Sequence, residues 1–120
     1  HLGFFEDWLT SRQKSLLLPL WRLSGFMLGA VSAVGGQNWV YASIEAVETF
    51  VVKHYESQYA ALDDYGDATL TAAIHRFCSD EADHRDEAGG ETQARSGLLK
   101  AWCWVVGVGS EQAVKIARRI

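Results

Sequence analysis

Glu81-Ala82-Asp83-His84 sets a carboxylate and an imidazole three residues apart. On a helix that interval is one turn, so both side chains leave the same face and can reach the same ion. Leu70, Ile74, Phe77, Glu81, His84 and Ala88 recur at steps of three and four, which puts two ionisable groups on the stripe a helix turns towards a core. A second stripe, Tyr41, Ile44, Glu48, Val51, Tyr55, Tyr59 and Leu62, carries a carboxylate in its middle. An ionised carboxylate moved out of water is costly unless a cation compensates it, so Glu48 and Glu81 each call for a partner. Carboxylate-bridged di-iron bundles supply one: a Glu-x-x-His from each of two helices and a Glu from each of two others. The competing reading is a solvated helix face, because Asp80, Asp83, Arg85, Asp86 and Arg95 surround the motif with charge.

Other polar groups rank below these. Tyr55 falls almost directly over Glu48 two turns along and so approaches the site, while His54 lies off that face by more than a quarter turn. Glu45 reads as a bundle-edge charge and His75 as solvent-facing. The tryptophans read first as core; Trp39, Trp102 and Trp104 are also placed to line an access route for a lipid or quinone.

Helices must position these groups, since no alternating apolar run bounded by turns marks a strand. His1, Phe4, Phe5, Trp8 and Leu9 recur at helical spacing, so His1 to about Ser11 reads as the end of a helix with its first residue facing the core. A second helix starts near Pro19, carries the apolar stripe Leu20, Leu23, Met27, Val31 and Val34, and stops at Gly35-Gly36. The third runs from about Asn38 to Leu62. Asp67 caps a fourth that continues to about Ala88, where Gly89-Gly90 is expected to end it, and a fifth follows from about Thr92 to Arg118. Gly107 and Gly109 within it would let a neighbouring helix come close. Short connections between such helices favour an all-α bundle of antiparallel neighbours.

The 120 residues, 48% of them hydrophobic, suffice for one domain (1–120) with one core. A net charge of −4 without a basic run argues against nucleic acid as a partner. Cys78 and Cys103 form no Cys-x-x-Cys pair, which excludes a disulfide scaffold and a cysteine zinc site. The chain begins at His1 without a leader, so its start reads as a cut and its compartment is open. In the apolar stretch Leu16–Gly36, Pro19 and Arg22 leave Leu23–Val34 as the uncharged centre, a rise of only about 18 Å, short of a bilayer core.

The run Pro19-Leu-Trp-Arg-Leu-Ser-Gly-Phe-Met-Leu-Gly-Ala30, then Ala46-Val-Glu48 with His54-Tyr55 and Gln58, then Glu81-x-x-His84 with Asp86, resembles the demethoxyubiquinone hydroxylases of ubiquinone biosynthesis. The similarity spans nearly the whole chain. It implies a ferritin-like bundle holding two ferrous ions that hydroxylates the demethoxyubiquinone ring with dioxygen and reducing equivalents from NADH, in the penultimate step of the pathway. It implies Glu48, Glu81 and His84 as iron ligands, and His1 as the histidine of the earlier Glu-x-x-His. Glu48 would bridge or shield the irons, Glu81 bridge them, and His84 bind one terminally. His54 and Tyr55 match a pair that lies beside the irons without ligating them, Tyr55 as a hydrogen-bond or electron-relay group. The first ligand helix and the Glu three residues before His1 are absent from the sequence, whereas Ala117-Arg-Arg-Ile120 fits the end of such chains. Members usually carry Glu-Glu-Leu-Glu-His-His-Asp where this chain has Asp80-Glu-Ala-Asp-His-Arg-Asp86, and Glu45 replaces an apolar residue.

The resemblance also implies peripheral attachment to the quinone's membrane, at the cytoplasmic face of a bacterial inner membrane or the matrix face of the mitochondrial one. Leu16–Val34 would then contact the membrane or the isoprenoid tail, flanked by Lys14 and Arg22, and a lipid-presenting protein of the pathway could be a partner. The alternatives are an inert ferritin-like fragment or interaction module unable to hold two irons, and an iron-binding or peroxidase-type ferritin relative, in which the Pro-Leu-Trp segment would have no role.

Overall fold

A computed structural model describes residues 1–10 and 16–119; Ser11, Lys14 and Ile120 lie outside the described residues. Six helices follow one another: α1 (Leu2–Trp8), α2 (Leu18–Gly35), α3 (Gln37–Glu56), α4 (Tyr59–Tyr65), α5 (Ala68–Glu91) and α6 (Gly97–Ala117). There is no strand among the described residues, so the fold is all-α as expected.

Local chemistry sets the boundaries. Pro19 stands in the first turn of α2, where its missing N–H costs nothing. Gly36, at φ 91°, is the single residue between α2 and α3, a conformation reserved for glycine. Asp67 caps α5 as its type predicts, its carboxylate accepting from the Leu70 N–H at 2.8 Å. The expected third helix is divided at Ser57-Gln58, where the Ser57 hydroxyl donates to the His54 carbonyl at 2.7 Å and competes with the helical bonding. Gly89-Gly90 does not stop α5. A Cβ at Gly89 would stand 3.2 Å from the Glu45 carboxyl carbon, so that glycine permits close approach of α3 instead. The chain then runs without helix through 92–96, held by the Asn38 side chain, whose Oδ1 accepts from the Gln93 N–H at 2.7 Å. The last helix therefore starts later than expected, at Gly97, with Ser96 as its cap.

The long α3 is the hub, packed against α5, α6 and α2. On the α5 side Leu62, Ala73, Ile74 and Phe77 form a buried cluster, with Phe4 and Phe5 of α1 closing over it. On the other side the binding is polar: Ser32 of α2 donates to Ser43 of α3 at 2.8 Å, and Trp102 of α6 donates its indole N–H to the same Ser43 oxygen at 2.7 Å. Cys78 and Cys103 are free thiols.

This core leaves much apolar surface outside. The radius of gyration is 15.5 Å, against about 14 Å for a compact chain of this length. The α2 stripe faces outward, with Leu23 57%, Met27 52% and Val34 92% exposed, and Ser32 is the only buried residue of that helix. α2 is also longer than its uncharged centre suggested: all 18 residues of Leu18–Gly35 are long and apolar enough to cross a membrane by length and composition. Three smaller expectations are corrected. Trp104 is 68% exposed rather than core, Ile44 drops off the buried face of α3, and Gly107 and Gly109 face open space rather than a close neighbour.

Because Phe77 is buried beneath His1, Phe4 and Phe5, Phe77→Ala should lower unfolding free energy by roughly 3–5 kcal/mol in denaturant titrations. Asp67→Ala, which removes only a cap, should cost about 1 kcal/mol.

Candidate metal centre

The two stripes meet where α3 lies along α5. Donor atoms of Glu48, Glu81 and His84 all lie within 4.8 Å of one another. The Glu81 carboxylate is the junction: Oε2 lies 3.1 Å from His84 Nδ1, and Oε1 lies 2.7 Å from Nδ1 of His1, which α1 brings across. The side chains of Glu81 and His1 are 14% and 25% exposed, so this end is sheltered, while His84, at 58%, faces outward. His1 lies over the Phe77 ring with centroids 4.0 Å apart, which fixes its height on α5. The four residues singled out as ligands thus come together, three within one cluster and His1 on the far oxygen of Glu81.

The electrostatics ask for a cation. Glu48 is pushed up from its ordinary 4.5 to about 7, first by burial and then by the negative charge and hydrogen bonding of Glu81. His84 is raised by its hydrogen bond to Glu81. Among the described residues neither Glu48 nor Glu81 is ion-paired with a lysine or arginine; Arg85 goes to Asp86 and Arg95 to Glu45. Two carboxylates balanced by two imidazoles alone, with no lysine or arginine paired to them among the described residues, are a donor set that fits a divalent first-row metal, iron(II) among them.

His54 and Tyr55 part company. The Tyr55 phenol is raised by burial and then by Glu81, Cys78 and Glu48, so it sits within the field of the carboxylates and stays protonated, able to donate. His54 is lowered by burial and by Arg118 and stacks on Phe50 with ring centroids 5.9 Å apart. Both border a cleft of about 460 Å³ among Phe5, Trp8, Gln58 and Tyr65. A second apolar groove, about 750 Å³, runs between α2, α3 and α6 past Trp21, Phe50 and Trp102. Glu45 is half-buried against Arg95 and ties α3 to the segment before α6. His75 is exposed as expected, stacked on Tyr59 at 4.0 Å.

The sequence reading passed over Asp80 as one more solvated charge, yet its carboxylate lies 3.1 Å from Nε2 of His1. Its only signal was its place immediately before Glu81.

An all-helical bundle with a Glu-x-x-His on one helix facing a Glu on its neighbour is half of the arrangement that carboxylate proteins of the ferritin-like class carry. A family profile described as "Ubiquinone biosynthesis protein COQ7" matches residues 1–117, and the chain belongs to that family. It is similar to the 3-demethoxyubiquinol 3-hydroxylase of Rhodospirillum rubrum, 34% identical over 129 residues that cover 100% of this chain and 57% of that protein. It also resembles the NADPH-dependent 3-demethoxyubiquinone 3-hydroxylase of Dictyostelium discoideum mitochondria, 33% identical over 108 residues, 88% of this chain and 50% of that one. The mitochondrial 5-demethoxyubiquinone hydroxylase of Saccharomyces cerevisiae is 35% identical over 88 residues, 62% of this chain and 38% of its own. The chain thus spans about half the length of the curated relatives it matches. No solved structure matches it.

In the metal-free chain Glu48 binds its proton more tightly than it would unfolded. Its contribution to stability is therefore full below about pH 4.5 and is lost as pH rises towards 7. Glu48→Gln should melt several degrees above the metal-free parent at pH 8, an effect on the order of 1 kcal/mol after solvent screening, and near the parent at pH 4.5. Saturating Zn2+ should reverse that order at pH 8. Thermal melts at the two pH values check both statements.

Proposed function

We propose that this chain is the metal-holding and substrate-facing part of a di-iron monooxygenase that hydroxylates the ring of demethoxyubiquinone or its quinol with dioxygen. The observation that carries the reading is the convergence of Glu48, Glu81 and His84, with His1 on the same carboxylate. The names of the family and of its hydroxylase relatives support the substrate and the reaction. In this reading residues 1–120 act as one ferritin-like unit. His1, Glu48, Glu81 and His84 hold the metal, Glu81 lying between the two imidazoles where a carboxylate can serve both sides.

Two ferrous ions held by such a carboxylate and imidazole set would supply dioxygen activation, one oxygen atom of dioxygen going to the ring and the other leaving as water with two electrons and two protons. The protein's own groups bind and orient. Tyr55, held protonated by burial and by the carboxylate charge of Glu81 and Glu48, would donate its hydroxyl to an oxygen of the ring. The cleft beside it has the volume of a small-ligand pocket and is walled by Phe5, Trp8 and Leu62, apolar side chains that suit a ring. His54 borders that cleft and shapes it without ligating metal. The apolar groove between α2 and α6 suits an isoprenoid tail, and the outward face of α2 suits peripheral contact with the membrane that holds the quinone. Arg22 is exposed near the start of that helix and would meet anionic headgroups. Either membrane face named above is compatible with the mitochondrial and bacterial relatives, and a lipid-presenting partner would engage the same apolar side. Reducing equivalents come from a reduced nicotinamide: NADH on the resemblance, NADPH on the name of the Dictyostelium relative.

The test is anaerobic loading with Fe(II) followed by dioxygen, a short-tailed demethoxyubiquinol and either nicotinamide with a reductase. The parent should bind about two irons and release hydroxylated product. Glu81→Ala with His84→Ala should lose both iron and product. Tyr55→Phe should keep the iron and lose roughly 10-fold or more of the rate. Iron absent from parent and variant alike would overturn the proposal and leave the inert fragment; iron uptake without product would favour an iron-binding role.

A further inference from the structure

His1 is held from two sides by consecutive residues of α5. Its Nδ1 faces Glu81 at 2.7 Å and its Nε2 faces Asp80 at 3.1 Å, while Phe77 supports the ring face. The two nitrogens of an imidazole point away from each other, so a ring that turns Nδ1 to Glu81 must turn Nε2 outward. Asp80 stands at that outward nitrogen. An imidazole that binds a metal uses an unprotonated nitrogen and keeps its proton on the other, and a carboxylate accepting that N–H fixes the tautomer, the ring orientation and the basicity of the ligand.

We propose that Asp80 is the positioning residue for His1: it accepts the Nε2–H, and so presents an unprotonated Nδ1 to the ion that Glu81 also contacts. This rests on the metal-centre reading above and assigns a function to a residue outside the ligand set. The other acids beside the motif are not so placed. Asp86 is taken by Arg85 at 2.8 Å, and Asp83, on the same helix, is exposed. The Asp80 side chain is 47% exposed, so its loss opens no cavity, and alanine is well tolerated on a helix surface.

Zn2+ affinity, measured by competition with a chromophoric chelator, separates this role from general charge. The chain should carry a short neutral extension before His1, so that the α-amine cannot bind metal. Asp80→Ala should weaken Zn2+ binding by about 10- to 100-fold. Asp80→Glu should restore it to within a few-fold, and Asp83→Ala, which removes the same charge from the same helix, should match the parent. The Co(II)-loaded chain gives a second readout by proton NMR. The exchangeable ring N–H signal of His1 should persist in the parent and in Asp80→Glu and vanish into solvent exchange in Asp80→Ala, while that of His84 is unchanged. Equal weakening by Asp80→Ala and Asp83→Ala would reduce Asp80 to surface charge and overturn the proposal. So would a His1 signal indifferent to Asp80. A parent that takes up neither Zn2+ nor Co(II) would remove the metal centre itself, and this role with it, which distinguishes the two failures.

Discussion

One half-buried carboxylate organises this chain. Glu81 lies between the imidazoles of His1 and His84 and against the carboxylate of Glu48, so residues from α1, α3 and α5 are drawn to one point. With only imidazoles to balance them, the two carboxylates crowd each other, and Glu48 rises to about 7, first through burial and then through Glu81. The surrounding fold makes the crowding persist rather than relax: Phe77 fixes His1, the Leu62, Ala73 and Ile74 cluster fixes α5, and the Ser32, Ser43 and Trp102 hydrogen bonds fix the back of α3. Groups held together against their own repulsion are what a metal-binding site needs, because binding then pays little reorganisation.

The remainder of the structure is arranged around access to that point. The cleft at Tyr55 and the groove between α2 and α6 are both apolar and both border α3, the helix that carries Glu48. The outward stripe of α2 gives the molecule an apolar side of its own, opposite in character to the charged surface around Asp83, Asp86 and Glu87.

The sequence disclosed which side chains would cluster better than the fold around them. Glu81 and His84 were legible because a three-residue interval on a helix has one geometric meaning, and Glu48 because a carboxylate on an apolar stripe is an anomaly. Asp67 announced its cap. The break at Ser57-Gln58 and the late start of α6 were not legible, since they depend on a hydroxyl choosing a carbonyl and on Asn38 reaching a segment 55 residues away. Gly89-Gly90 misled because glycine serves close approach as well as helix termination, and only the neighbouring Glu45 decides which. Asp80 was hidden by its charged neighbours: nothing in one strand of sequence tells a carboxylate facing water from one facing His1. The outward face of α2 was foreshadowed by the family resemblance, which assigned Leu16–Val34 to contact with a membrane or an isoprenoid tail, and not by its composition.

The account stands or falls on whether these side chains share an iron centre, and X-ray absorption on the Fe(II)-loaded chain addresses that directly. The predicted spectrum has a mixed oxygen and nitrogen first shell, outer-shell imidazole scattering that diminishes in His84→Ala, and an iron–iron path that disappears in Glu81→Ala. A shell of oxygen alone, identical to that of aqueous Fe(II) and unchanged by either substitution, would contradict it.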